Sequence, residues 1–140
     1  MFIKQLSVFV ENKHGRLQDI IDKLSENGVN IRALSIADTT DFGILRMIAD
    51  DNEKAKKVLS EAGVISTSTD VIAVYIDDKT GGLAKVLKIV TDAGISIEYM
   101  YAFLGRKEGK ALMVLKADDE ALAEKVLSAS DVILASPSEI

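Results

Sequence analysis

The chain has 140 residues, 48% of them hydrophobic and 28% charged, with a formal net charge of −5 and no cysteine. That is ample apolar material for a core. The absence of a basic block excludes a nucleic-acid backbone as a partner, no apolar run reaches the ~20 residues that cross a bilayer, and the lack of cysteine removes disulfides, thiolate nucleophiles and cysteine-based metal sites together. No signal peptide is discernible, so the expectation is a cytoplasmic protein.

The first predicted strand is Ile3 to Val10, with Leu6, Val8 and Val10 alternating onto one face. Leu17, Ile20, Ile21 and Leu24 then follow the i, i+3, i+4, i+7 spacing of an amphipathic helix, which Gly28 ends. A second strand is expected from Val29 to Ala37 and a third from Gly43 to Ala49. Asp51 is a good N-cap for a second helix whose stripe is Ala55, Val58, Leu59 and Ala62. Val64 to Thr67 reads as a fourth strand, and Ser66 to Asp70 as a short polar join.

The same order then begins again. Asn12-Lys13-His14-Gly15-Arg16-Leu17 returns 66 residues later as Asp78-Lys79-Thr80-Gly81-Gly82-Leu83. Gly28-Val29-Asn30-Ile31 returns as Gly94-Ile95-Ser96-Ile97, and Asp50-Asp51 as Asp118-Asp119. Strands are expected at Ile72 to Ile76, Ile95 to Phe103, Ala111 to Ala117 and Val132 to Ala135, with two more residues in the hairpin around Gly105 to Gly109. A repeat of this length means two copies of one small fold. The order strand, helix, strand, strand, helix, strand is the split βαβ of ferredoxin-like folds. The predicted class is therefore α+β: two tandem βαββαβ modules, residues 1–70 and 71–140, with antiparallel sheets and helices on one face. The second strand of each copy, a sheet edge, carries no proline and little charge. Such edges are read as meant to be paired, either with each other or with another chain, and an extended sheet arrangement and a homodimer are expected.

The segment between first strand and first helix is the best functional candidate. Gly15 and Gly81 sit where a helix begins, and free amides there attract anions. Asn12 or Asp78 precedes each glycine by three residues, and Asn30 or Ser96 is expected near it across the top of the sheet. That set suits a small zwitterion, with amides on its carboxylate and side-chain oxygens on its ammonium. Turn chemistry alone also accounts for these residue types. His14, the only histidine, has no partner for a metal and no nucleophile for base catalysis, so no metal, cofactor or catalytic residue is expected. Tyr99, Met100 and Tyr101 alternate sides of a strand, to line a pocket or to pack the sheet; Arg46 amid apolar residues answers Asp38, Asp41 or a ligand, or else snorkels.

These motifs, at this spacing and repeated, resemble the ACT domain, the small regulatory module of amino-acid metabolism. The resemblance spans essentially the whole chain and extends to Asp41-Phe42-Gly43-Ile44-Leu45-Arg46 and Glu98-Tyr99-Met100-Tyr101. It implies modules paired side by side and an amino acid bound at their interface. Carried over by position, the loop asparagine is Asn12 and the strand asparagine Asn30; the ligand-binding residues expected are Asn12, Lys13, His14, Gly15, Arg16, Leu17, Asn30 and Ile31 in copy one. In copy two they are Asp78, Thr80, Gly81, Gly82, Leu83, Ser96 and Tyr99. His14 and Thr80 stand where many members have proline, and Asp78 and Ser96 replace the two asparagines of copy one. The expected function is a non-enzymatic sensor of a free amino acid that regulates a metabolic enzyme partner. A regulatory subunit with no ligand of its own is the alternative, and a small enzyme the third possibility, since the fold hosts many activities.

Overall fold

The structure is a computed structural model that describes residues 1–38, 41–105 and 107–140. Its elements run β1 (Ile3–Glu11), α1 (Arg16–Glu26), β2 (Ile31–Asp38), β3 (Phe42–Ala49), α2 (Asn52–Glu61), β4 (Ser66–Asp77), α3 (Gly82–Asp92), β5 (Ile97–Ala102), β6 (Lys110–Ala117) and α4 (Glu120–Ser128), with a 3₁₀ turn at Pro137–Glu139. The chain divides into two compact units, Lys4–Thr69 and Met1–Ile3 with Asp70–Ile140. The expected βαββαβ order is present in each, the last strand being the start of β4 in the first and reduced to a single bridge in the second.

In the first unit β1 pairs antiparallel with β3, from Leu6 opposite Met47 to Glu11 opposite Phe42. β2 pairs antiparallel with the other side of β3 and forms the edge. Phe9 N–H donates to the Ile65 carbonyl across 3.4 Å. Leu6, Val8, Val10, Leu45 and Met47 of the sheet share one core with Ile20 and Leu24 of α1 and Ala55, Val58 and Leu59 of α2, which puts both helices on one face. Leu24 and Leu59 are fully buried, each contributing about 1.5–3 kcal/mol. In the second unit the order is β4-β6-β5, antiparallel, and the equivalent core joins Ile72, Val74, Ile76, Val86, Val90, Leu115, Ala123 and Leu127. Phe2 packs against this second core, and the amino terminus pairs with Glu124.

Two expectations are corrected. The polar join at Ser66 to Asp70 is not a loop but the start of β4. Threonine favours extended backbone, and an alternating polar run suits a strand as well as a turn. Conversely, Val132 to Ala135 is not a full strand. It makes a single bridge, Val74 to Leu134, with Tyr75 N–H on the Ile133 carbonyl and Ala135 N–H on the Ala73 carbonyl, both 2.9 Å. The longer hairpin expected around Gly105 to Gly109 includes Arg106, which lies outside the described residues.

The repeated Asp-Asp pairs have two tasks. Asp50 and Asp118 each accept a hydrogen bond from the backbone N–H that starts the neighbouring strand, Asn30 at 3.0 Å and Ser96 at 3.1 Å. Asp51 and Asp119 cap the helices, accepting from Lys54 and Leu122 N–H at 3.0 Å.

Glu120 at the start of α4 is half-buried, and that burial pushes its carboxyl above the ordinary value, against the Ala117 N–H bond and the Lys116 charge. One oxygen accepts from Ala117 N–H at 2.5 Å, while the other is buried without a partner among the described residues. A raised folded value makes this group's contribution to stability largest at low pH and diminishing as pH rises through that value. Glu120→Gln keeps the acceptor without the charge. It is expected to melt above the parent at pH 7, with the gap closing below the ordinary carboxylate range of about 4.3. A lower melting temperature than the parent at pH 7 would contradict this.

Candidate functional site

Each unit builds the same loop where its first strand meets its first helix. Asn12 N–H donates to the Asp41 carbonyl (3.2 Å), Lys13 N–H to Glu11 (2.8 Å) and Arg16 N–H to Lys13 (3.2 Å). In the second unit Asp78 N–H donates to Gly109 (3.1 Å), Lys79 N–H to Asp77 (2.9 Å) and Gly82 N–H to Lys79 (3.0 Å). The turn closes on Gly15 at φ 84° and Gly81 at φ 86°, a left-handed conformation that other residues adopt only with strain. These glycines are the N-caps of α1 and α3, and neither helix has a side-chain cap, whereas α2 and α4 each carry an aspartate cap.

Around the first loop, Lys13, His14, Gly15, Leu17, Gln18 and Ile21 line an open depression on the flank of α1. Lys13 Nζ lies 3.1 Å from Glu11 Oε2, and its hydrogen bond and charge, aided by Arg16, hold the Glu11 carboxyl below its usual value. Arg16 itself lines a different groove, with Asp19, Asp22, Lys23, Glu26, Ala62 and Val64. Its Nε is buried with no acceptor among the described residues. Around the second loop, Asp78, Lys79, Thr80 and Leu83 meet Ile76, Ala111 and Met113. Asp77 pairs with Lys110, which holds its carboxyl down, and Lys85 pairs with Asp131 at 2.7 Å.

The structure therefore gathers Asn12 to Gly15 in one loop, with Arg16 and Leu17 opening α1, and Asp78 to Gly81 in the other, with Gly82 and Leu83 opening α3. It does not bring the second strand to them. The loop of the first unit lies at the Asp41 end of β3, while Asn30 lies beside Asp50 at its far end. About seven residues of strand, roughly 20 Å, separate them. Ser96 lies beside Asp118 in the same way. The expectation that Asn30 and Ser96 join the loops of their own units is overturned. Ile31 packs against the first core. Tyr99 stands opposite Lys116, toward the far end of β6, stacked on Tyr101 with centroids 6.4 Å apart. It is not among the residues that line the opening beside Asp78 to Leu83. Met100 faces the core instead, as alternation requires. Arg46 is half-buried in mid-strand between Ser7 and Ser35, away from Asp41; the Asp38 side chain lies outside what is described.

Gly82 has a different reason to be glycine. It is buried, and a Cβ there would lie 2.0 Å from the Asp77 carbonyl oxygen. Among the described residues, no cluster of three His, Cys, Asp or Glu is placed to hold a metal, and no helix is long and apolar enough to cross a membrane. Sequence reasoning missed the strand-tying role of Asp50 and Asp118, although their repetition beside the caps was a visible signal.

The profile of the ACT domain pair family matches residues 1–136, and the chain belongs to that family. An ACT domain pair is a regulatory module. Among solved structures, protein BT0572 of Bacteroides thetaiotaomicron is similar at 37% identity and a TM-score of 0.93, over 99% of this chain and 95% of that one. The ligand-free regulatory subunit of aspartate kinase from Thermus thermophilus shares the fold at 15% identity and a TM-score of 0.66, over 91% of both chains. The corresponding Thermus flavus subunit does so at 17% identity and a TM-score of 0.56, over 90% of both. No curated protein matches the sequence.

Proposed function

We propose that this chain is a cytoplasmic, amino-acid-binding regulatory protein with two ACT-like modules, residues 1–70 and 71–140, acting as a homodimer on an enzyme of amino-acid metabolism. The observation that carries the reading is the contrast between its helix starts. α2 and α4 satisfy their first amides with aspartate caps, while α1 and α3 begin at left-handed glycines with no side-chain cap. An amino-acid carboxylate suits those amides, and the side-chain oxygen of Asn12 or Asp78, three residues earlier, suits its ammonium group. The fold shared with regulatory subunits of aspartate kinase supports a role exerted on an enzyme. Edge strands β2 and β5 contain no proline and offer backbone groups to a second chain.

A thermal-shift screen of the full chain against the twenty amino acids tests this. A ligand at a hundredfold excess over Kd stabilises by about 2.7 kcal/mol, so millimolar ligand reveals even ~10 μM binding. At least one amino acid is expected to raise the melting temperature, with sedimentation showing a dimer at tens of micromolar. If none of the twenty shifts the transition, the chain is instead an interaction module without a ligand.

A further inference from the structure

The two units differ where the apolar part of a ligand would lie. In the first, Ile36 of β2 stands opposite Leu45 and leans over Gly43, where a Cβ would meet Ile36 Cδ1 at 3.5 Å. In the second unit the residue opposite Met113, the counterpart of Leu45, is Ala102. The counterpart of Gly43 is Ala111, because Val10 faces Gly43 as Ile76 faces Ala111. Ala102 ends at its Cβ, too short to take the part of Ile36. An opening remains, floored by Ile76, Ala111 and Met113, walled by Leu83, and rimmed by Asp77, Asp78, Lys79 and Thr80. Leu83 is 43% exposed, whereas its counterpart Leu17 packs against the first core.

Building on the amino-acid reading above, we propose that this opening in the second unit is a pocket for an α-amino acid with an aliphatic side chain, and that Ile36 closes its counterpart in the first unit. The Asp78 carboxylate takes the ammonium group and the Thr80 hydroxyl donates to the ligand carboxylate. The aliphatic chain covers Ile76, Met113 and Leu83, each buried methylene raising affinity about fourfold.

The test is calorimetric titration of the full chain with L-leucine, L-methionine, glycine and L-aspartate. Leucine or methionine is expected to bind one site per chain at least tenfold more tightly than glycine or aspartate. Ala102→Ile, at an exposed strand position that favours a branched residue, should weaken that binding at least tenfold. Leu83→Ser should do the same by removing the wall, and Ile36→Ala should add a second site. The proposal is overturned if leucine and methionine bind no better than glycine, or if folded Ala102→Ile and Leu83→Ser bind them as the parent does. Saturable binding of aspartate in place of leucine would leave the amino-acid reading standing and sink this one. Binding of none of the four, with none of the twenty active in the thermal screen, would sink both.

Discussion

Replacing Gly82 by alanine is expected to destabilise the protein by about 3 kcal/mol, the upper part of the range for overpacking. In an ordinary helix the change would favour folding, since alanine is the best helix former. Here the new Cβ would lie 2.0 Å from the Asp77 carbonyl oxygen and 3.3 Å from the Asp77 Cβ. That carbonyl has little room to retreat. Asp77 ends β4 opposite Lys110, its side chain pairs with the same lysine, and its carbonyl accepts Lys79 N–H at 2.9 Å. Gly15→Ala is the control. Nothing lies within 4 Å of its would-be Cβ, so only the φ of 84° is strained, at about 1–2 kcal/mol. Chemical denaturation measures both. A Gly82→Ala midpoint equal to the parent's would show that the loop shifts freely, against the description of a tied turn.

Asp78→Asn is expected to weaken amino-acid binding at the second loop ten- to hundredfold, the worth of a hydrogen bond to a charged group, about 1.5–3 kcal/mol. Asp78 is exposed and caps no helix, so folding stability should stay within about 0.5 kcal/mol of the parent. The two readouts separate a ligand contact from a structural one. A variant that melts early with parental affinity would assign Asp78 to turn chemistry. An affinity within twofold of the parent at unchanged stability would place the ammonium elsewhere.

The fold was legible because the repeat states each element twice. The alternation of Leu6, Val8 and Val10, the stripe from Leu17 to Leu24 and the caps at Asp51 and Asp119 are local signals, and they form as read. The site was legible only as far as it is contiguous. Asn12 to Leu17 needs no tertiary information, but Asn30 does. An 11-residue helix rises about 16 Å and carries the chain back along the sheet before β2 begins, so Asn30 starts at the end that α1 has reached, not the end it left. The difference between Ile36 and Ala102 was beyond the sequence, because it needs the register of each edge strand on its neighbour. Gly82 likewise reads as one of a flexible pair until the Asp77 carbonyl is seen beside it.

A bound amino acid must be felt first by the backbone of the loop that holds it. Amide nitrogen–proton spectra of the labelled chain, titrated with the amino acid that most raises the melting temperature, resolve this residue by residue. Saturable shifts are expected at Lys79 to Leu83, with the Gly81 amide among the largest, and little change at Asn30 and Ser96. Shifts concentrated at residues 29–31 and 95–97, with both loops silent, would contradict that expectation.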